Sequence, residues 1–411
     1  MKILLSAPID LAVSPDLKYA GTERIVYWLN QGLSEMVGHQ SIVAASGNSC
    51  LGGYGDLLIT RETHLWATRG DERIMVRSGK AYETHYGMCL DYALENGVDV
   101  IHDHPGQFMF SSDVYRDRMM NLDLPLVTTT HEPIADQGLP TEGSPKTRDE
   151  KYSRLKELQV LGLPLYLITL SESHRREHEN FGLRVDAVVY NGIDVDTLPF
   201  KDRKQDYMLW LGRVSDNKGT DLAVRIARET KRPLIVAGEV HLPYKNEFQL
   251  GVEPYLTDII DGENSEVKRN SLLERIALGE EVVGEGEILF MGPVDNRQKA
   301  ILYQNACVTL QLNRWKESFG LVPVESMATG TPVIVTNRGA LPELVVDGET
   351  GFVVEALDKG VLNDDKIVAE AIERLNQISR IESVDCRVHV MSNFSRERMA
   401  RDYVGFYEGV A

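Results

Sequence analysis

Four short stretches carry residue types suited to holding an anionic, hydroxyl-rich ligand. The first is Gly212-Arg213-Val214-Ser215-Asp216-Asn217-Lys218-Gly219. Arg213 and Lys218 would stand beside backbone N–H groups where a helix begins, and both the charges and the dipole suit phosphate. A plain turn with two solvated cations is the competing reading. The second runs from Glu317 to Glu325, Glu317-Ser318-Phe319-Gly320-Leu321-Val322-Pro323-Val324-Glu325. Two carboxylates bracket the backbone N–H groups of Phe319, Gly320 and Leu321. Carboxylates accept from hydroxyls and N–H groups donate to phosphate, so a phosphorylated polyhydroxyl ligand would use both. Either glutamate alone reads as well as a helix cap or a surface charge. The third is Thr128-Thr129-Thr130-His131-Glu132-Pro133. His131 can donate to a ligand hydroxyl or carbonyl, although a lone histidine is more often structural. His102-Asp103-His104 is of the same kind, with His102 read as core and His104 as facing a cleft. The fourth, Tyr19-Ala20-Gly21-Thr22-Glu23, offers close backbone approach at Gly21 and a helix cap at Thr22. By itself it is an ordinary helix start.

Each stretch follows a short apolar run, and those runs alternate with amphipathic ones. Lys2–Ser6 reads as a strand, Glu23–Gly38 as a helix and Ser41–Ala45 as a strand. Ala81–Asn96 is a helix closed by Gly97. Val98–His102, Leu124–Thr128 and Tyr166–Leu170 are further strands. The pattern restarts after Tyr190-Asn191-Gly192-Ile193-Asp194. Strands at Asp206–Leu211, Pro233–Ala237, Ile288–Met291, Cys307–Leu312, Pro332–Thr336 and Val353–Glu355 alternate with helices at Asp221–Glu229, Arg297–Asn305 and Val322–Ala328. Pro323 suits the first turn of the last of these, which also takes in Glu325, and Gly330 suits its end. Strand, helix, strand repeated in this way means parallel sheets with crossover helices. In such sheets ligands bind at the carboxyl ends of the strands, where all four stretches fall. The tail Ser395–Tyr407 reads as a helix with Met399, Tyr403, Phe406 and Tyr407 on its apolar face. The acidic segment 240–286 is too long for a bare connection and should contain a helix of its own.

Composition narrows the function. The chain has 411 residues, enough for two or three domains, and a formal net charge of −18. Residues 1–200 hold 18 basic and 28 acidic side chains, so neither half is basic and a nucleic-acid partner is not expected. Four scattered cysteines give neither a disulfide framework nor a zinc pattern. Met1–Leu5 is too short for the apolar core of a signal peptide, and Leu158–Ser171 is too short for a membrane span. A cytoplasmic enzyme without an integral membrane segment is the expectation. The chain lacks GxGxxG after a strand, GxxxxGK[ST], GxSxG and HExxH. The only Asp-x-Asp, Asp194-Val195-Asp196, lies in the expected linker, so no metal site is expected.

Taken together the stretches resemble the retaining nucleotide-sugar glycosyltransferases of family 4, which have the GT-B fold. The resemblance rests on Gly212-Arg213 with Lys218-Gly219, on Glu317-x7-Glu325 around Phe319-Gly320, and on Met327-Ala328-x-Gly330-Thr331-Pro332-Val333-Ile334. Asn191-Gly192-Ile193-Asp194, Pro342-Glu343 and Asp347-Gly348-x-x-Gly351-Phe352 extend it. It is dense from about Val188 to Val354 and thinner over 1–187. Ala20 stands where the family usually has a second glycine, and Ser318 where it often has proline.

The resemblance implies an α/β chain of two doubly wound Rossmann-like domains facing across a cleft. Residues 1–193 would form the acceptor side and 194–391 the nucleotide-sugar side. Residues 392–411 would be a helix packing back on the first domain. Arg213 and Lys218 would clamp the donor diphosphate, Glu325 the ribose and Glu317 the transferred sugar. The amides of Phe319, Gly320 and Leu321 would line that pocket. Pro293 and Val294 would lie against the base. His131 would reach the donor sugar, Gly21 and Thr22 the diphosphate and acceptor, and His104 the acceptor side. The implied reaction moves a hexosyl group from a nucleoside-diphosphate sugar to a soluble hydroxyl acceptor, with retention and without a required cofactor or metal. The segment 240–286 is a candidate subunit contact. A sugar-nucleotide epimerase of the same fold and a non-catalytic sugar-nucleotide binder are the alternatives.

Overall fold

The computed structural model describes residues 1–16, 21–65, 79–106, 118, 124–134, 145–240, 244–260 and 264–411. Tyr19 and Ala20 lie outside the described residues. The chain divides into two compact units, one of residues 1–193 and 395–411 and the other of residues 194–394.

The first unit is built on seven parallel strands, β1 (Lys2–Ser6), β2 (Gln40–Ser46), β3 (Asp56–Arg61), β4 (Val100–Asp103), β5 (Leu126–Thr129), β6 (Leu165–Thr169) and β7 (Ala187–Val188). Their order is β3-β2-β1-β4-β5-β6-β7. Leu4, Leu5, Val43, Ile101 and Val127 are buried to 1% exposure or less. Such continuous apolar strands suit a parallel sheet covered on both faces. Each aliphatic side chain so buried is worth about 1.5–3 kcal/mol. The helix Gly21–Ser34 begins two residues before the expected start, and Ser34 ends it before Gly38.

The C-terminal helix Arg396–Tyr407 belongs to this unit. Met399, Tyr403 and Tyr407 are buried as the periodicity requires, together with Ala400 and Val404. Phe406 is only partly buried and meets Tyr166 edge-on at 5.9 Å between ring centroids. The helix approaches Gly21–Ser34 so closely that a Cβ on Gly32 would sit 2.8 Å from that of Ala400.

The second unit repeats the plan with β8 (Met208–Leu211), β9 (Leu234–Ala237), β10 (Asp258–Ile259), β11 (Ile288–Gly292), β12 (Val308–Gln311), β13 (Val333–Thr336) and β14 (Gly351–Val354). The order is β10-β11-β9-β8-β12-β13-β14, again parallel. Both sheets are doubly wound, as expected. The segment 240–286 contributes the edge strand β10 and two helices, Lys245–Gly251 and Ser265–Leu278.

The strand order decides where chemistry can gather. In each sheet the strands that follow the first are laid down on one side of it and then on the other. The crevice at that reversal lies beyond the carboxyl ends, between β1 and β4 in one unit and between β8 and β12 in the other.

Candidate active site

In the second unit the loops after β8 and β12 meet at the reversal. Trp210 on β8 is fully buried, and its indole N–H donates to the Lys218 carbonyl at 3.3 Å. The loop then makes a single 3-10 turn, Asp216–Lys218, before the helix Thr220–Thr230. Gly219 joins the two with φ 67°, and a Cβ there would lie 2.1 Å from the Leu312 carbonyl oxygen. Only glycine lets the β8 loop approach the end of β12 this closely.

Lys218 and Glu317 are thereby brought into contact. Lys218 Nζ donates to Glu317 Oε1. The same oxygen accepts from Asn313 Nδ2 at 2.7 Å and Trp315 Nε1 at 3.1 Å. Lys218 Nζ also lies 4.5 Å from the centroid of the Trp315 ring, a cation–π distance. Glu317 is pinned through its backbone as well, since its carbonyl accepts from Ala340 N at 2.8 Å. Arg314 braces the loop. Its guanidinium donates to both Asp221 oxygens at 2.9 and 2.6 Å, to both Asp364 oxygens at 3.0 and 2.9 Å, and to the Asp216 carbonyl at 2.6 Å. Such paired carboxylate contacts fix a plane as well as a charge.

The helix Leu321–Ala328 starts one residue before the expected position, with Gly320 at its N-cap and φ 106°. Its first N–H groups have no intrahelical acceptor by construction. Pro323 stands in its first turn and Gly330, at φ 83°, follows its end. Glu325 is the fifth helical residue, just beyond the first turn where the sequence placed it, because the helix starts early. It is 2% exposed. Lys299 Nζ donates to Glu325 Oε1 at 2.5 Å, and Tyr303 Oη donates to Oε2 at 3.3 Å. Lys299 and Tyr303, four residues apart on the helix Asn296–Asn305, share a face. Phe319 is buried, whereas Gly320 and Leu321 are partly exposed. Val294 is buried and Pro293 exposed, beside the end of β11.

In the first unit three histidines stand together, His102 within β4, His104 just after it and His131 just after β5. His102 Nδ1 is 2.6 Å from Tyr407 Oη and its Nε2 is 2.8 Å from Thr129 Oγ1. The His102 and His104 rings lie 4.0 Å apart, and His104 Nδ1 is 3.1 Å from His131 Nε2. Burial holds both His102 and His104 neutral by pushing their imidazoles well below the ordinary value. His102 is core, as expected. His104 is 2% exposed, so it does not present an open face; β4 carries it inward against His131. Thr22 is not the cap of its helix, because Gly21 already belongs to the helix and Thr22 lies in its first turn. Gly21 is exposed, with open space around the position of a Cβ.

Two acids near that helix start, Asp10 and Glu23, are given no role by the sequence. Tyr82 Oη donates to Asp10 Oδ2 at 2.6 Å. Glu23, 7% exposed, is pushed up to about 7 by burial, with the Asp10 charge adding to the rise. A carboxyl raised in the folded state takes up a proton on folding between its ordinary 4.5 and about 7. Stability contributed by that proton is therefore present below pH 4.5, lost as pH rises through the window, and flat above it. Glu23→Gln should raise stability at pH 8 by on the order of 3 kcal/mol and leave pH 4 unchanged. Urea melts at the two values measure this; equal effects at both would contradict it.

Among the described residues no group of three His, Cys, Asp or Glu is placed to hold a metal ion, and no helix is long and apolar enough to cross a membrane. Cys50, Cys89, Cys307 and Cys386 are all free.

Comparison with known proteins follows the same division. The family model for Glycosyltransferase Family 4 matches residues 19–197, and that for Glycosyl transferases group 1 matches residues 198–375. A D-inositol 3-phosphate glycosyltransferase from Acidothermus cellulolyticus is 27% identical over 282 residues, 63% of this chain and 57% of that one. The chain spans between 32% and 61% of the length of the curated relatives it matches. Sucrose-phosphate synthase from Thermosynechococcus elongatus shares the fold with a TM-score of 0.69 at 16% identity, covering 100% of this chain and 98% of that one. Anabaena HepE, solved with UDP and glucose, does so with a TM-score of 0.65 at 14% identity, covering 100% of both. With both halves matched and the paired doubly wound sheets in place, the chain belongs to the family 4-type glycosyltransferases of GT-B fold.

Proposed function

We propose that the protein transfers a hexosyl group from a nucleoside-diphosphate sugar to a hydroxyl of a soluble acceptor, with retention of anomeric configuration. The observation that carries this reading is the convergence of Lys218 and Glu317 at the reversal of the second sheet. A cation for a leaving diphosphate and a carboxylate for sugar hydroxyls stand side by side, next to the start of the helix Thr220–Thr230. The glycosyltransferases among its relatives, and UDP and glucose bound to a structural neighbour, support the same donor class. The name of the relative from Acidothermus supports a polar, hydroxylated acceptor.

In this reading the bond from the anomeric carbon to the diphosphate oxygen breaks as that carbon gains the acceptor oxygen on the same face. The acceptor proton passes to the departing phosphate oxygen. Arg213 and Lys218 meet the charge that develops there. Glu317 fixes the sugar, Glu325 the ribose, and the amides of Phe319, Gly320 and Leu321 complete the pocket. The same reading assigns His131 to the donor sugar and Gly21 and Thr22 to the diphosphate and acceptor.

The test incubates the protein with a panel of sugar nucleotides, alone and with pools of hydroxyl acceptors. Free nucleoside diphosphate is expected to rise only when acceptor is present, and to do so with excess chelator added. Release that ignores the acceptor, or isomerised sugar nucleotide without release, would overturn the transfer. Complete and reversible loss on chelation would overturn the assignment of the diphosphate charge to Arg213 and Lys218 alone.

A further inference from the structure

The segment 240–286 holds residues that no motif assigns, and one of them reaches the carboxyl end of β11. Arg269, on the helix Ser265–Leu278, is only 5% exposed. Its Nε donates to the Met291 carbonyl at 2.9 Å and its Nη1 to Glu266 Oε2 at 2.7 Å. Nη2 lies 3.4 Å from the position a Cβ would take on Gly292. Gly292 sits at the carboxyl end of β11 with φ 68° and has no side chain to cover the guanidinium from that side. Glu266 is half-exposed and is held a second time, by Gln298 Nε2 at 2.9 Å. Gln298 is itself fixed by the capping box with Asp295 that opens the next helix. The charged pair is therefore in place before any ligand arrives, with Arg269 beside Gly292, the residue that leads into Pro293 and Val294.

Burying a guanidinium is costly, and a simple tie between helix and strand needs no charge. A fixed guanidinium next to a fixed carboxylate suits one edge of a heterocycle. The guanidinium donates twice to neighbouring acceptors, and the carboxylate accepts from a ring N–H or an exocyclic amine. Guanine presents O6 and N7 side by side as such a double acceptor, the usual partner of arginine. Uracil has a single carbonyl there and no ring-nitrogen acceptor next to it. We infer that Arg269, backed by Glu266, reads the base of the donor and selects guanine over uracil. This rests on the proposed function, because that reading puts the base against Gly292–Val294.

The test is calorimetric titration of the full chain with GDP, UDP and 7-deaza-GDP. GDP should bind about tenfold or more tighter than UDP, and removing N7 should weaken GDP by about fivefold or more. Arg269→Gln and Arg269→Lys should each abolish most of the preference, the lysine because a point charge cannot make the paired contact. Equal binding of GDP and UDP, tighter binding of UDP, or equal binding of GDP and its deaza analogue would overturn the inference. So would variants that weaken both nucleotides by the same factor, the result for a purely structural tie. The analogue comparison uses the unaltered protein, so it decides the matter even where a variant fails to fold. Binding of neither nucleotide by the unaltered protein would instead remove the proposed function itself.

Discussion

Arg213→Ala and Lys218→Ala are each expected to cut turnover by about 10²-fold or more while the protein stays folded. In the proposed reading each removes a cation from the place where the leaving diphosphate gains charge, and preorganised charge there is usually the largest single contribution to rate. The structure explains why the fold should survive at Lys218. Its ammonium pairs with Glu317, but Asn313 and Trp315 donate to the same Glu317 oxygen, so the carboxylate is not stranded. The loop is held through the backbone, by the Trp210 indole on the Lys218 carbonyl and by Gly219 against Leu312, and Ala disturbs neither. Steady-state kinetics beside thermal melts would check this. Near-normal turnover in both variants would remove the phosphate clamp from these residues.

The contact between Lys218 and Glu317 shows where sequence reading stops. Each residue stands out by type and position, yet they are 99 apart in the chain. They meet because β8 and β12 are neighbours in the sheet, and alternation of strands and helices does not supply that order. The buried runs of β1, β8, β12 and β13 are plain in the sequence, since a parallel strand covered on both faces is continuously apolar. β3, Asp56–Arg61, escapes that test: it lies at the sheet edge, and Ile59 is 51% exposed. The helices Pro145–Val160 and Glu172–Phe181 show no apolar periodicity in the sequence, because they are mostly charged and polar. Glu172–Phe181 instead announces itself at its ends, by the Ser171 cap on His174 N and by Gly182 in the left-handed region. Lys299 and Tyr303 were legible in part. Their four-residue spacing on an expected helix puts them on one face, but nothing local says that the face meets Glu325. Asn313, Arg314 and Trp315 carried a clearer signal, because polar and aromatic residues directly after a buried strand fall where ligands bind in this class of sheet.

The two glutamates should fail in opposite ways, and their partners in the structure sharpen the difference. Glu325 is buried against Lys299 and Tyr303 and is assigned to the ribose. Glu325→Gln removes a charged hydrogen bond to the ligand, a loss of about 1.5–3 kcal/mol in binding either the donor or the bare nucleoside diphosphate. It also removes the counter-charge of a buried ammonium, and breaking such a pair costs about 3–5 kcal/mol of stability. The melting temperature should therefore fall together with affinity. Adding Lys299→Met to Glu325→Gln should recover part of the stability but none of the affinity, which separates the two effects. Glu317 is assigned to the transferred sugar and is tied to Lys218. Glu317→Gln leaves the amide within reach of the same donors while withdrawing the negative charge that Lys218 faces. The lysine is then freer to meet phosphate, so the bare nucleoside diphosphate should bind as well as before or more tightly. Turnover with the full donor should nevertheless drop, because a sugar held out of line costs rate even when the rest of the ligand is bound. Calorimetric titration with the nucleoside diphosphate, followed by kinetics with the full donor, distinguishes the two residues. If Glu317→Gln weakens nucleoside diphosphate binding as much as Glu325→Gln does, the division of roles between them is wrong.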